Sequence, residues 1–179
     1  MEVLRAGAHR RMPWKNGHGE TLEIAASPAG ASLDDFAWRI SMARVTAAGP
    51  FSRFPGVDRT LVVLDGAGLV LDVAGREVQL GHGVPFSFDG DAATSARLVA
   101  GPIVDLNTMT RRGHWRHIVR RVREPVDLTG LVVVLARGPV RVDGVELERD
   151  DAAVGATRIT EVTDAFAIEL IPAVGRIGV

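Results

Sequence analysis

Two pairs of positions in this chain carry polar side chains at the spacing that puts them on one face of an extended strand, and a lone arginine opens a third such face. Arg39 and Ser41 are two residues apart, with Trp38, Ile40 and Met42 on the alternate positions. Asp105 and Asn107 repeat the spacing, and Arg59 opens an apolar run in which it shares a face with Leu61 and Val63. A guanidinium is a planar fork that pairs bidentately with a carboxylate. An asparagine offers both a donor and an acceptor, which suits an amide or formyl group. The chemistry these types support is recognition of a small acid. On residues alone, the Arg39 and Ser41 face either lines a cavity or faces water. Arg59 needs a partner within its apolar stripe, either Asp105 in a structural ion pair or a bound ligand. Lys15-Asn16-Gly17-His18-Gly19 is a glycine-flanked loop. It either cradles an anion with backbone N–H groups and the Lys15 charge or makes a tight hairpin with a solvated lysine. Phe51 and Ser52 sit in a loop rich in proline and glycine, Gly49 to Gly56, and could add an apolar wall and a hydroxyl.

Other chemistries lack their residues. There is no cysteine, so disulfides, thiolate catalysis and Cys-ligated metals are excluded. None of the five histidines forms a His-x-His pair, and His114 and His117 lie among arginines that repel a cation. No metal and no cofactor is therefore expected. Six arginines fall between Arg111 and Arg123, but only Trp115 interleaves and the net charge is -1, which argues against nucleic acid. Apolar runs such as Leu131 to Ala136 are far below the roughly 20 residues that span a bilayer. Met1 to Arg11 lacks the apolar stretch of a secretory signal, so no membrane partner is expected and the default location is cytoplasmic. A metal-independent enzyme acting on a small acidic amino-acid derivative is the alternative, with Asp105, Glu23 or His18 as general base. No nucleophile–base–orienter set supports it.

The elements that must hold these residues are short. Apolar residues alternate or cluster in runs of four to seven, punctuated by 20 Gly and 9 Pro, a pattern of sandwiches and barrels. Strands are predicted at Thr21–Ala26, Ala37–Ala43, Arg59–Leu64 and Leu69–Val73. Further ones are predicted through residues 77–80, 85–88, 96–100, 117–122, 131–136, 140–142, 152–154 and 165–171. Gly49 to Gly56 reads as loop. Helix is limited to one or two short turns, Arg111 to Arg123 coming closest to helical spacing. Residues 61–88 and 131–154 share a rhythm of strand, Gly turn, strand, Gly turn, strand, which predicts a duplicated β-unit. The halves are placed at 1–113, carrying the site, and 114–179, with strands exchanged between them.

The run Leu61-Val62-Val63-Leu64-Asp65-Gly66-Ala67-Gly68 with Gly75 and Gly81 resembles the central hairpins of cupins. Three longer blocks are more specific: Met12 to Ile24, Phe36 to Arg59, and Gly101-Pro102-Ile103-Val104-Asp105-Leu106-Asn107-Thr108-Met109-Thr110-Arg111-Arg112-Gly113. In order and spacing they resemble the HutD/Ves family. The resemblance implies an all-β, bicupin-like fold of two fused jelly-roll barrels. It also implies binding of a small acidic metabolite such as formylglutamate, with a regulatory role in histidine utilisation in the HutD branch and a stress-induced Ves branch. It tips Arg39 and Ser41 toward the cavity reading. No reaction is implied, and a homodimer is a compatible assembly. The family usually reads Lys-Asn-Gly-Gly-Gly where this chain has His18 between Gly17 and Gly19.

Overall fold

The computed structural model describes residues 1–14, 17 and 19–173. Two compact units result: Arg10–Arg112, here the first unit, and Met1–His9 with the residues from Gly113 onward, the second. The chain opens with β1 (Glu2–Leu4), a 3₁₀ turn at Ala6–Ala8, β2 (Arg10–Pro13), β3 (Gly19–Ser27) and β4 (Trp38–Val45). The first unit continues through β5 (Gly49–Pro50), β6 (Val57–Asp65), β7 (Leu69–Val73), β8 (Arg76–Leu80), β9 (Phe86–Asp89), β10 (Thr94–Leu98) and β11 (Ile103–Arg111). The second adds β12 (Trp115–Val122), β13 (Val126–Asp127), β14 (Leu131–Ala136), β15 (Val140–Val142), β16 (Val145–Leu147), β17 (Ala152–Val154), β18 (Arg158–Val162) and β19 (Ala165–Pro172). Among the described residues there is no α-helix, and no helix long and apolar enough to cross a membrane.

Duplication is visible in the strand order. The first unit pairs a six-stranded sheet, β2-β3-β4-β11-β6-β9, with a four-stranded sheet, β5-β10-β7-β8. The second pairs β1-β17-β14-β19-β12 with β13-β18-β15-β16. Read from β12, the run β12-β19-β14-β17 repeats β4-β11-β6-β9, and the small sheets correspond strand for strand. The fold is all-β and bicupin-like, as the family resemblance implies. Sequence alone assigns residues 1–9 to the first half. Their placement in the second follows from β1, whose Glu2, Val3 and Leu4 pair with Val154, Ala153 and Ala152. The Gly49 loop begins with a two-residue strand on Ser95 and Ala96, at a sheet edge where the missing proline N–H breaks no ladder. Arg111 to Arg123 is not helical: a turn at residues 112–114 leads into Trp115–Val122, which pairs along its whole length with β19.

Turn chemistry follows the residues. Asp143 and Gly144 take φ of 47° and 82°, the doubly left-handed pair of a tight hairpin between Val142 and Val145. Gly66 turns β6 into β7 at φ 96°, where an added Cβ would lie 2.6 Å from the Pro102 carbonyl oxygen. Gly66→Ala should therefore cost about 2 kcal/mol, read as a lowered urea midpoint with unchanged slope. The first core joins Ala43, Leu61 and Val63 of the large sheet to Leu69, Leu71 and Ala96 of the small one. The second joins Val132, Val134 and Ala136 to Val140, Val142 and Ile159.

Candidate functional site

A cavity of about 540 Å³ opens in the first unit. Its floor is the inner face of the large sheet: Thr21 from β3, Arg39, Ser41 and Ala43 from β4, Arg59 from β6, and Asp105, Asn107 and Met109 from β11. Its walls are Met12 and Trp14 on one side and Leu33, Phe51, Ser52 and Phe54 from two loops. Strand register builds the floor. Ser41 lies opposite Asn107 and Ala43 opposite Asp105, while Met109 faces both Arg39 and Arg59 across its two neighbours. Two-residue periodicity then brings Arg39, Ser41, Arg59, Asp105 and Asn107 to one surface.

Each floor residue has defined partners. Arg39 donates from Nε to Glu23 Oε2 at 2.7 Å and from Nη1 to Ser41 Oγ at 3.3 Å. Arg59 donates from Nη2 to Asn107 Oδ1 at 2.7 Å and from Nη1 to the Ser52 carbonyl at 3.2 Å. Its guanidinium carbon is 5.2, 5.4 and 5.2 Å from the ring centres of Phe51, Phe54 and Phe88, an aromatic cup that favours a cation. Asn107 Nδ2 donates to Asp105 Oδ1 at 2.5 Å. The asparagine thus stands between Arg59 and Asp105, so Asp105 receives a neutral amide donor and no guanidinium hydrogen bond.

Asp105 is fully buried, and Arg59 and Arg39 are nearly so. Burial pushes the Asp105 carboxyl up to about 7, against the pull of Arg59 and the Asn107 hydrogen bond. Burial draws Arg59 down to about 10, opposed by Asp105 and assisted by Arg39; it stays charged at neutral pH. Asp105 Oδ2 and Arg59 Nε are buried with no hydrogen-bond partner. The arrangement can bind an anion, and it holds a carboxyl that titrates near neutrality.

Of the residues named from sequence, Arg39, Ser41, Phe51, Ser52, Arg59, Asp105 and Asn107 all line this cavity. Lys15, Asn16 and His18 lie outside the described residues. Arg59 is partnered by Asn107 rather than directly by Asp105, and Ser52 serves it through its carbonyl. Sequence reasoning missed Glu23 as the counter-ion of Arg39, Trp14 and Phe54 as walls, and Phe88 as part of the aromatic cup around Arg59. Trp14 donates to Thr21 Oγ1 at 2.9 Å, which orients its ring at the cavity. The basic stretch is matched by acids: Arg112 bonds Asp58, Asp89 and Asp91, Arg120 bonds Glu169, and Arg121 bonds Asp164. Among the described residues no group of three His, Asp or Glu is placed to hold a metal.

In the second unit the matching strand, β19, presents Ala167 and Glu169 at the positions where β11 presents Asp105 and Asn107. Ala167 packs with Val134 and Ala136 in that unit's core, and Glu169 is bonded to Arg120.

The HutD family model matches residues 6–168. An uncharacterized 21.2 kDa protein in the hutC 3' region of Pseudomonas putida is 42% identical over 117 residues, 65% of this chain and 61% of that one. Protein Ves of Citrobacter koseri is 41% identical over 116 residues, 62% of this chain and 60% of that protein. The matched stretch thus spans about 60% of the length of these two relatives. The solved structure of HutD from Pseudomonas fluorescens SBW25 superposes with a TM-score of 0.86 at 33% identity, covering 96% of this chain and 98% of the other.

Proposed function

The chain belongs to the HutD family, and from that footing we propose that it holds a small acidic metabolite of the formylglutamate type in the Arg39–Arg59 cavity. Family and fold together support a small-molecule-binding or regulatory role in general terms. The hutC-region relative supports a setting in histidine utilisation, where such a protein would sense or buffer the acid. The observation that carries the reading is Arg59: a buried guanidinium, cupped by three phenylalanines, on the floor of a cavity large enough for a metabolite. Its two observed hydrogen bonds leave further N–H donors on the fork for a carboxylate. Of the general bases a metal-independent enzyme could use, Asp105 has its Oδ2 covered and Glu23 is bonded to Arg39, while His18 lies outside the described residues, so the two described candidates favour holding over proton abstraction.

Calorimetry with N-formylglutamate, glutamate, glutarate and the neutral glutaramide tests this. The acids should bind and the diamide should not. Arg59→Ala and Arg39→Ala should each weaken the best acid by about tenfold to a hundredfold, since a charge-assisted hydrogen bond contributes roughly 1.5–3 kcal/mol. Trp14, on the wall, supplies a fluorescence readout of the same titration. Equal affinity for acid and diamide, or no binding of any acid, removes the reading.

A further inference from the structure

We propose that an acid enters this cavity together with one proton from solvent, which Asp105 takes up on Oδ2. The inference rests on the reading that the cavity holds an acid, and it concerns how that acid's charge is balanced. Three charged side chains belong to the floor, Arg39, Arg59 and Asp105, and a fourth, Glu23, stands behind Arg39 as its partner. Arg39 is offset by Glu23, bonded at 2.7 Å and itself largely buried. Arg59 and Asp105 remain. With Asp105 ionised, that pair also sums to zero and leaves little attraction for an anion. With Asp105 neutral, one buried positive charge stands uncompensated in front of the ligand.

Geometry makes the neutral form the natural one in the complex. A buried carboxylate is stable when several donors surround it. Asp105 has one, the Asn107 amide on Oδ1, while Oδ2 has none. Every other neighbour that could offset it has been diverted. Arg59 on β6 bonds Asn107 and the Ser52 carbonyl, and Arg39 on β4 bonds Glu23 on β3 and Ser41. On β11 itself Asn107 and Met109 do not titrate. The Gly49–Gly56 loop offers the cavity apolar and hydroxyl side chains, Phe51, Ser52 and Phe54, and the four-stranded sheet lines it with Pro50, its Leu71 and Ala96 being apolar core. A second anion beside such a carboxylate cannot share the site with it, for the same reason that two neighbouring carboxylates do not both ionise. Because burial already lifts Asp105 to about 7, the proton is available near neutral pH.

The sign of the pH dependence follows. Affinity is full below the free-protein value of about 7 and declines as pH rises above it, by about tenfold per unit while one proton is linked to binding. Calorimetry of wild type with N-formylglutamate and glutarate, in buffers of different ionisation enthalpy, should find uptake approaching one proton per acid at pH 8.5 and much less at pH 6. In Asp105→Asn the uptake should vanish and the affinity become flat with pH, so that at pH 8.5, about 1.5 units above the wild-type value, the variant binds about thirtyfold more tightly than wild type. Infrared difference spectra of wild type at pH 8.5 read the same event without a variant: a protonated-carboxyl band should appear on adding acid. Binding by wild type with no proton uptake and a pH-independent Kd overturns the inference and leaves the acid-holding function standing. Uptake that persists in Asp105→Asn assigns the proton elsewhere and also overturns it. If no acid binds wild type, both readings fail.

Discussion

Replacing Asp105 by asparagine should raise the thermal midpoint by roughly 6–12 °C at pH 8 and leave it almost unchanged at pH 4. The carboxyl titrates near 3.8 when unfolded and at about 7 when folded, because folding strips it of water while supplying one neutral donor. A group raised in this way contributes stability that is fully present below its unfolded value and is lost as pH rises through its folded value. Three units at about 1.4 kcal/mol each set a ceiling of about 4 kcal/mol. Asparagine keeps the acceptor for Asn107 but leaves a buried N–H at the place of Oδ2, which returns about 1 kcal/mol. The net gain is about 3 kcal/mol above pH 7, shrinking through the window from pH 7 to 4. Elsewhere the slope has the opposite sign. Two hydrogen bonds from Arg121, both 2.6 Å, hold Asp164 below the usual carboxylate range, so its contribution is lost on acidification. Only the difference between wild type and variant isolates Asp105. Scanning calorimetry of both proteins from pH 4 to 9 reads it, and parallel curves would show that this carboxyl does not titrate in the window.

Such a gain at a buried position indicates that the wild-type residue is kept for something other than stability. Asp105 itself was legible in the sequence, because its two-residue spacing from Asn107 survives in any extended strand. So were Arg39 and Ser41, and Arg59 at the head of an apolar run. The long inner strands were legible too: Leu61–Leu64 within Val57–Asp65, and Leu131–Ala136, are continuous apolar runs because both of their faces are buried. What escaped was non-local. Glu2–Leu4 is three residues long and forms a strand only because Ala152–Val154 receives it. Arg158–Val162 buries Ile159 alone, so no alternation marks it. The aromatic cup over Arg59 draws Phe51, Phe54 and Phe88 from two separate segments, which proximity in sequence cannot join. Glu23 alternates with the apolar Leu22 and Ile24 in the sequence, yet its partner depends on β3 lying beside β4 and on a bulge between Glu23 and Ala25 that sets the register there.

Glu23→Leu should destabilise the protein by about 3–5 kcal/mol, the cost of leaving a buried charge without its partner. The Arg39 side chain is 5% exposed and that of Glu23 10%, and their 2.7 Å contact is the carboxylate bond Arg39 makes. Arg10 also approaches Glu23, at 3.8 Å, but its side chain is 62% exposed and a solvated pair of that kind contributes less than about 1 kcal/mol. Removing Glu23 therefore strands Arg39 rather than Arg10. Glu23→Leu combined with Arg39→Met should recover most of the loss, since a buried ion pair replaced by apolar groups of similar volume is often neutral. Urea unfolding of the two single variants and the double variant measures the coupling as a double-mutant cycle. Additive losses would show that the pair does not act as a unit. Glu23→Gln separates stability from cavity charge. It keeps an oxygen acceptor for Arg39 Nε, so the fold loses less, but it unmasks the Arg39 charge beside Arg59. In that variant the acids used for calorimetry should bind more tightly than in wild type while the neutral diamide is unaffected. Unchanged acid affinity would mean that Glu23 does not offset the charge the cavity presents.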